Sequence, residues 1–196
     1  MSRLLISSLL LASMLLSACG TPPMQPAAIG VVEVPTRIVG QYEQALGLAR
    51  NGDTEAAIQS LEAFVSEHTA YPGAYLTLSQ LQLAAEQTDA AVATLQQAIL
   101  LHPDYAPAHN QLGVIYRDQG EFERANAAYE SALRVSPEYA LAYFNLGVLN
   151  DLYRQQPELA LDYYQQYRLL LPEGVEDAEV DRWIADLQRR TEGDGT

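Results

Sequence analysis

One spacing constrains this chain more than anything else in it. Thr69, Pro103, Pro137 and Pro172 stand at steps of 34, 34 and 35 residues, and the residues between them recur with the same period. The stretch ending at Pro137 carries His109, Leu112, Gly113, Tyr116, Gly120, Ala125, Tyr129 and Ala132; the next copy carries Tyr143, Leu146, Gly147, Ala160 and Tyr164. The copy before them carries Tyr75, Leu78, Ser79, Ala91, Leu95 and Ala98, and an outlying first copy has Ala45, Leu48, Gly52, Ala57, Leu61 and Phe64. Self-similarity at such a period is the mark of stacked supersecondary units. Within each unit, apolar residues spaced three and four apart predict two helices, broken at a glycine or polar turn and stopped by proline. Small residues at Gly113, Gly147, Ala125 and Ala160 mark the places where paired helices cross. Gly120 suits the turn, and Pro137 cannot continue a helix. A single helix pair cannot bury its own apolar face, so neighbours must stack, and the expected fold is an all-α solenoid.

Four helix pairs follow, at about 38–71, 72–105, 106–139 and 140–174. Gln41 and Gln44 occupy usually apolar positions in the first, as expected of a terminal unit facing water. The fourth has Asn150 where the preceding copy has Tyr116, one extra residue in "RQQPELA", which places a helix break at Pro157, and Tyr167 where the pattern has a small residue. Beyond it, Val180, Trp183, Ile184 and Leu187 form one apolar stripe, predicting a helix over 175–190 that caps the last pair. Residues 191–196 read as a flexible tail.

The residue inventory argues against several functions. The 11 basic residues are all arginine and face 25 acidic ones, for a net charge of −14. Such a chain has no basic face with which to release counterions from a nucleic acid. One cysteine excludes an intramolecular disulfide, and His68, His102 and His109 are too scattered for a metal site. No serine, histidine and acid stand at catalytic spacing and no glycine-rich phosphate loop exists. A non-enzymatic protein without a bound cofactor is expected.

The repeat resembles the tetratricopeptide family, most fully over His109–Pro137. The resemblance implies a concave groove lined by the first helix of each pair. Carried over by register, its lining would be Val39, Tyr42, Leu46 and Ala49, then Leu76, Gln80 and Leu83, then Asn110, Val114 and Arg117, and finally Leu141, Phe144, Val148 and Asp151. This mainly apolar strip suits a short amphipathic helix or an extended apolar peptide. Leu76, Val114 and Phe144 are the expected anchors, with Phe144 serving the partner rather than the fold. Family members that clamp a C-terminal carboxylate do so with basic residues; with no lysine and only Arg117 in the strip, that mode does not apply. The alternatives are a groove filled by the protein's own tether or by a second copy in a homodimer.

The N-terminus adds an address. Met1 to Ala18 has one early arginine, then an uncharged apolar stretch from Leu4 to Leu16, well short of the roughly 20 residues a spanning helix needs. That is the layout of an export signal over 1–18. Leu16, Ser17, Ala18 and Cys19 resemble the bacterial lipobox, which implies cleavage before Cys19 and a diacylglycerol on its sulfur. Gly20 beside the cysteine points by the same resemblance to the outer membrane of Gram-negative bacteria, on its periplasmic face. Residues 19–35, with four prolines from Pro22 to Pro35, read as an extended tether. The parts list is similar to the pilotin lipoproteins that help assemble pilus secretins and to adaptor lipoproteins of cell-wall enzymes, and the implied partner is another envelope protein.

Overall fold

The computed structural model describes residues 35–193, and in them nine α-helices follow one another without a strand. They form four antiparallel pairs, α1 (Thr36–Arg50) with α2 (Thr54–Glu67), α3 (Pro72–Ala84) with α4 (Thr88–Leu101), α5 (Ala106–Asp118) with α6 (Phe122–Val135), and α7 (Ala140–Val148) with α8 (Pro157–Leu170), followed by α9 (Ala178–Gly193). Each pair stacks on the next, which is the expected solenoid.

The repeated residues are the core. Ala57, Ala91, Ala125 and Ala160 open the second helices and are fully buried, and Leu61, Leu95, Tyr129 and Tyr164 lie one helical turn further on, at most 1% exposed. The large ring at the last two of these positions explains the glycine opposite: a Cβ on Gly113 would run into the ring of Tyr129, and one on Gly147 into that of Tyr164. Where Leu95 replaces the tyrosine, Ser79 takes the glycine's place, buried, with its Oγ donating to the Leu76 carbonyl at 2.7 Å.

The turn inside each pair follows one design. The chain leaves the first helix through a residue with left-handed backbone, Gly52 (φ 87°), Glu86 (φ 61°), Gly120 (φ 77°) and Gln155 (φ 54°). In the first three turns the next amide reaches back five residues to the helix: Asp53 N–H to the Leu48 carbonyl (3.0 Å), Gln87 to Gln82 (2.8 Å) and Glu121 to Tyr116 (2.8 Å). These bonds satisfy carbonyls that a helix end leaves free.

The fourth turn is wider, and here the structure refines the expectation. α8 does open on Pro157, but the extra residue of the 35-residue unit is taken up earlier, in a π-helical turn at Leu149–Tyr153 that continues α7. The Arg154 amide donates to the Leu149 carbonyl five residues back (3.1 Å), and Gln156 to the Asn150 carbonyl six residues back (2.8 Å). Asn150 explains why the turn holds: fully buried, it donates from Nδ2 to the Leu146 carbonyl at 2.7 Å. Tyr116, at the same place in the third unit, has no amide to do this. The turn carries Tyr153 onto Phe122 of α6, with ring centroids 5.0 Å apart, and Arg154 onto Asn126 Oδ1 at 2.9 Å.

The capping helix starts and ends about three residues later than its expected 175–190. Asp177 sets its start, since its Oδ1 accepts the Val180 amide at 3.1 Å. At the other end the helix runs to Gly193, into the stretch 191–196 expected to be a loose tail. Thr191 holds the last turn by donating from Oγ1 to the Leu187 carbonyl at 3.0 Å. The export signal at 1–18, Cys19 and the tether up to residue 34 lie outside the described residues.

Candidate partner-binding groove

The first helices α1, α3, α5 and α7 carry nearly every residue expected to line the groove, Asp151 following in the π turn, and the structure sorts those residues into three groups. Tyr42, Leu46, Ala49, Leu76, Leu83, Val114 and Arg117 are half-buried, while Val39 is 45% exposed and Gln80 is open to water. These side chains belong to repeats one to three. Tyr42 ties the first repeat to the second, its hydroxyl lying 2.8 Å from Thr77 Oγ1.

Asn110 is a correction. It is only 6% exposed, and its Oδ1 accepts from Nδ2 of Asn145 at 2.9 Å, so it joins α5 to α7 beneath the surface instead of meeting a partner.

Repeat four is the larger correction. Phe144, expected as a free anchor, stands among Tyr167 (centroids 5.3 Å apart), Trp183 (6.0 Å) and Tyr164 (6.2 Å). Val148 packs on the same cluster, in which Ala160 and Tyr164 meet Val180 and Leu187 of α9. Asp151 receives Arg190 of α9 at 3.1 Å. Phe144 and Asp151 thus meet the C-terminal helix directly and Val148 packs on the cluster that this helix completes, while Leu141, 51% exposed, is left open. Tyr167, placed by the sequence where a small residue is usual, fills the corner between α8 and the connector to α9 and donates its hydroxyl to Asp177 Oδ2 at 3.1 Å.

Two depressions flank the open strip. The first, of about 330 Å³, is lined by Ile38, Val39, Tyr42, Phe64, Tyr71 and Pro72, together with the small residues Ala70, Gly73 and Ala74 around the start of α3. Its walls are aromatic: the Phe64 ring meets Tyr42 (5.5 Å) and Tyr71 (6.0 Å) at tilted angles, and behind them it lies edge-on to His68 at 4.9 Å. The second, of about 340 Å³, lies between Leu83, Thr88, Val114, Ile115, Asp118 and Gln119. Arg117 stands beside it and donates to Asp118 from both Nε and Nη2, at 3.1 and 3.0 Å, so the cation in the strip is already matched by an acid.

Register reasoning missed Phe64 and Tyr71 because they sit on a second helix and in a turn. A signal was present, however. Phe64 stands where the inner repeats have Ala98 and Ala132, both fully buried, and a ring in an alanine's place cannot pack as closely.

The histidines serve the scaffold. Nε2–H of His102 donates to the Thr69 carbonyl at 2.7 Å, that of His109 to the Pro103 carbonyl at 3.0 Å, and Nε2 of His68 lies 2.9 Å from Gln41 Oε1. Among the described residues no three His, Cys, Asp or Glu side chains come together as a metal site, and no helix is long and apolar enough to cross a membrane. The tyrosines that fill the core are held in their neutral form: burial pushes the phenols of Tyr75, Tyr129 and Tyr164 above their ordinary value.

Comparison with known proteins agrees with this architecture. A tetratricopeptide-repeat family model matches residues 48–113, and a TPR-repeat model matches residues 114–150. No curated protein matches the sequence significantly. Among solved structures, a crystal structure of MamA is 27% identical, with a TM-score of 0.59 over 69% of this chain and 79% of that one. PilF of Pseudomonas aeruginosa is 20% identical, with a TM-score of 0.67 over 81% of this chain and 70% of that one. A thermophilic TPR protein of Thermus thermophilus is 23% identical, with a TM-score of 0.63 over 77% and 81% of the two chains. With the period, the buried alanine ladder and the stacked pairs on the same register, the chain is a tetratricopeptide-repeat protein.

Proposed function

We propose that this is a non-enzymatic scaffold of the Gram-negative envelope, held by a lipid on Cys19 at the periplasmic face of the outer membrane. Its concave face binds a peptide or helix of another envelope protein and assists assembly of a pilus, secretion or cell-wall complex. The observation that carries the reading is the strip of half-buried apolar side chains on α1, α3 and α5, Tyr42, Leu46, Leu76, Leu83 and Val114, with a depression at each end. Side chains that are half-buried in the free protein have apolar area left to bury, and that area drives association. The sequence "LSAC" at the end of an apolar leader supports the anchor, and no cofactor enters this function.

Val39 is the exposed large apolar residue at the aromatic depression, so a charge there alters the surface while leaving the core alone. In crosslinked pull-downs from envelopes with the intact lipoprotein, Val39→Glu and Leu76→Ala should lose the client recovered by the wild type. The loss corresponds to about 2 kcal/mol for a buried anchor. Glu130→Ala, exposed on α6, should recover the client normally. Unchanged recovery by both groove variants would move recognition to another face. A concentration-dependent size in the absence of any client would favour a self-associating structural lipoprotein instead. For the anchor, Cys19→Ser should leave the membrane fraction and lose metabolic palmitate label; retention of both would remove the lipoprotein assignment.

A further inference from the structure

We infer that α9 is a resident ligand of the repeat-four surface, and that a partner helix displaces it. The inference rests on the reading that the concave face binds partners, and it adds the chemistry of one of them. Of the four positions expected to line the groove in repeat four, Phe144 lies 6.0 Å from Trp183 between ring centroids and Asp151 pairs with Arg190, both on this one helix, while Val148 packs on the cluster that its Val180 and Leu187 join.

The engagement has the form of a helix laid on a surface. Val180 and Leu187 are 1% exposed, Trp183 and Ile184 are half-buried, and the residues between them are mostly polar and largely open. Trp183 supplies the aromatic anchor, 5.4 Å from Tyr164 and 6.0 Å from Phe144. Arg190 supplies the charge, pairing with Asp151, whose side chain is only 14% exposed. An apolar stripe at i, i+3, i+4 and i+7 with a cation at its end is the pattern of helix-in-groove recognition. The occupant that fits this surface is therefore an amphipathic helix with an aromatic in mid-stripe and an arginine or lysine near its C-terminus. A cationic end also suits a chain with a net charge of −14.

The attachment of α9 suits exchange. It follows a connector, Pro172–Glu176, that is exposed throughout and passes through Gly174 at φ 80°. Beyond the apolar stripe its ties to the repeats are few: Arg168 to Asp181, Tyr167 to Asp177, and Arg190 to Asp151. A helix held at one face and joined through an exposed connector can open without the rest of the molecule.

Trp183 is the only tryptophan of the chain, so its emission reports α9 alone. The probe is a synthetic peptide with the sequence 178–193 carrying Trp183→Phe, titrated into the full chain. The expected result is a saturable shift of protein emission to longer wavelength as Trp183 is released to water, with no shift from a peptide that also carries Val180→Asp and Leu187→Asp. Asp177→Ala in the protein removes the cap of the resident helix and its tie to Tyr167 without altering Phe144, Val148 or Asp151. It should tighten peptide binding about tenfold, because less must be displaced. No shift with either peptide, equal shifts with both, or an Asp177→Ala variant that binds no more tightly would make α9 a fixed cap and overturn the inference. None of these outcomes bears on Val39 or Leu76, so failure here is separate from failure of the groove on repeats one to three.

Discussion

Gly113 lies under the ring of Tyr129, and the interior has no slack to take even one methyl group there. Gly113→Ala should therefore lower stability by about 1 to 3 kcal/mol, as should Ala125→Leu at a fully buried helix crossing, both read from the midpoint of denaturant unfolding. Phe144 is the residue whose reading changes most. Its register said groove, which predicts an alanine variant of normal stability; its contacts with Tyr164, Tyr167 and Trp183 say fold. Phe144→Ala should lower stability by about 2 kcal/mol, somewhat less than for a fully buried ring, and a melting curve that superimposes on the wild type would contradict the packing. Register identifies the side of a helix a residue occupies, but not whether a later segment returns to cover it. Register therefore agrees with the exposure of Val39 and with the half-buried places of Tyr42 and Leu76, and it fails at Phe144 and Asp151, which α9 meets.

At the level of elements, each of the four inner turns passes through one residue of left-handed backbone, but not through the same residue type. Gly52 and Gly120 adopt positive φ freely; Glu86 and Gln155 do so against the steric cost a Cβ imposes. Gly120→Ala meets no neighbouring atom, so its penalty is conformational, about 1 to 2 kcal/mol. Glu86→Gly should act in the opposite sense, with a gain of about 0.5 kcal/mol after the added freedom of the unfolded glycine is subtracted. Thermal unfolding of the two variants beside the wild type tests both signs. The sequence carried most of this level plainly, since alanines at 57, 91, 125 and 160 and rings at 129 and 164 leave one way to pair the helices. The widened turn was only half legible. Counting shows that the fourth unit has a residue too many, but which peptide absorbs it depends on the bond from Asn150 to the Leu146 carbonyl, which spacing does not reveal.

Across the whole molecule, the buried phenols give stability a one-sided dependence on pH. Burial raises Tyr75, Tyr129 and Tyr164 above the ordinary value of 10.0, and Tyr105 and Tyr139 move the same way for the same reason. A raised folded-state value means that the folded chain keeps protons the unfolded chain has lost. The contribution is complete below about pH 10 and is lost as pH climbs through that value toward the raised ones. Melting temperature should thus fall steeply above about pH 10, and substituting Tyr164 by Phe should flatten part of that fall. An alkaline limb with the slope of an unshifted tyrosine would contradict it.

The π turn at Leu149–Tyr153 bears on the assembly of the array as well as on its local geometry. Units of equal length and similar sequence invite a folding error in which a helix docks one unit out of place or onto a second chain, because neighbouring sites offer nearly the same welcome. The fourth unit breaks that equivalence. Its closing bond spans six residues, its ring at Tyr153 seeks Phe122, and its Arg154 seeks Asn126, while the turns at Glu86 and Gly120 offer no matching set. A single surplus residue thereby acts as a key that only one lock accepts, giving a chain of near-copies an unambiguous last unit.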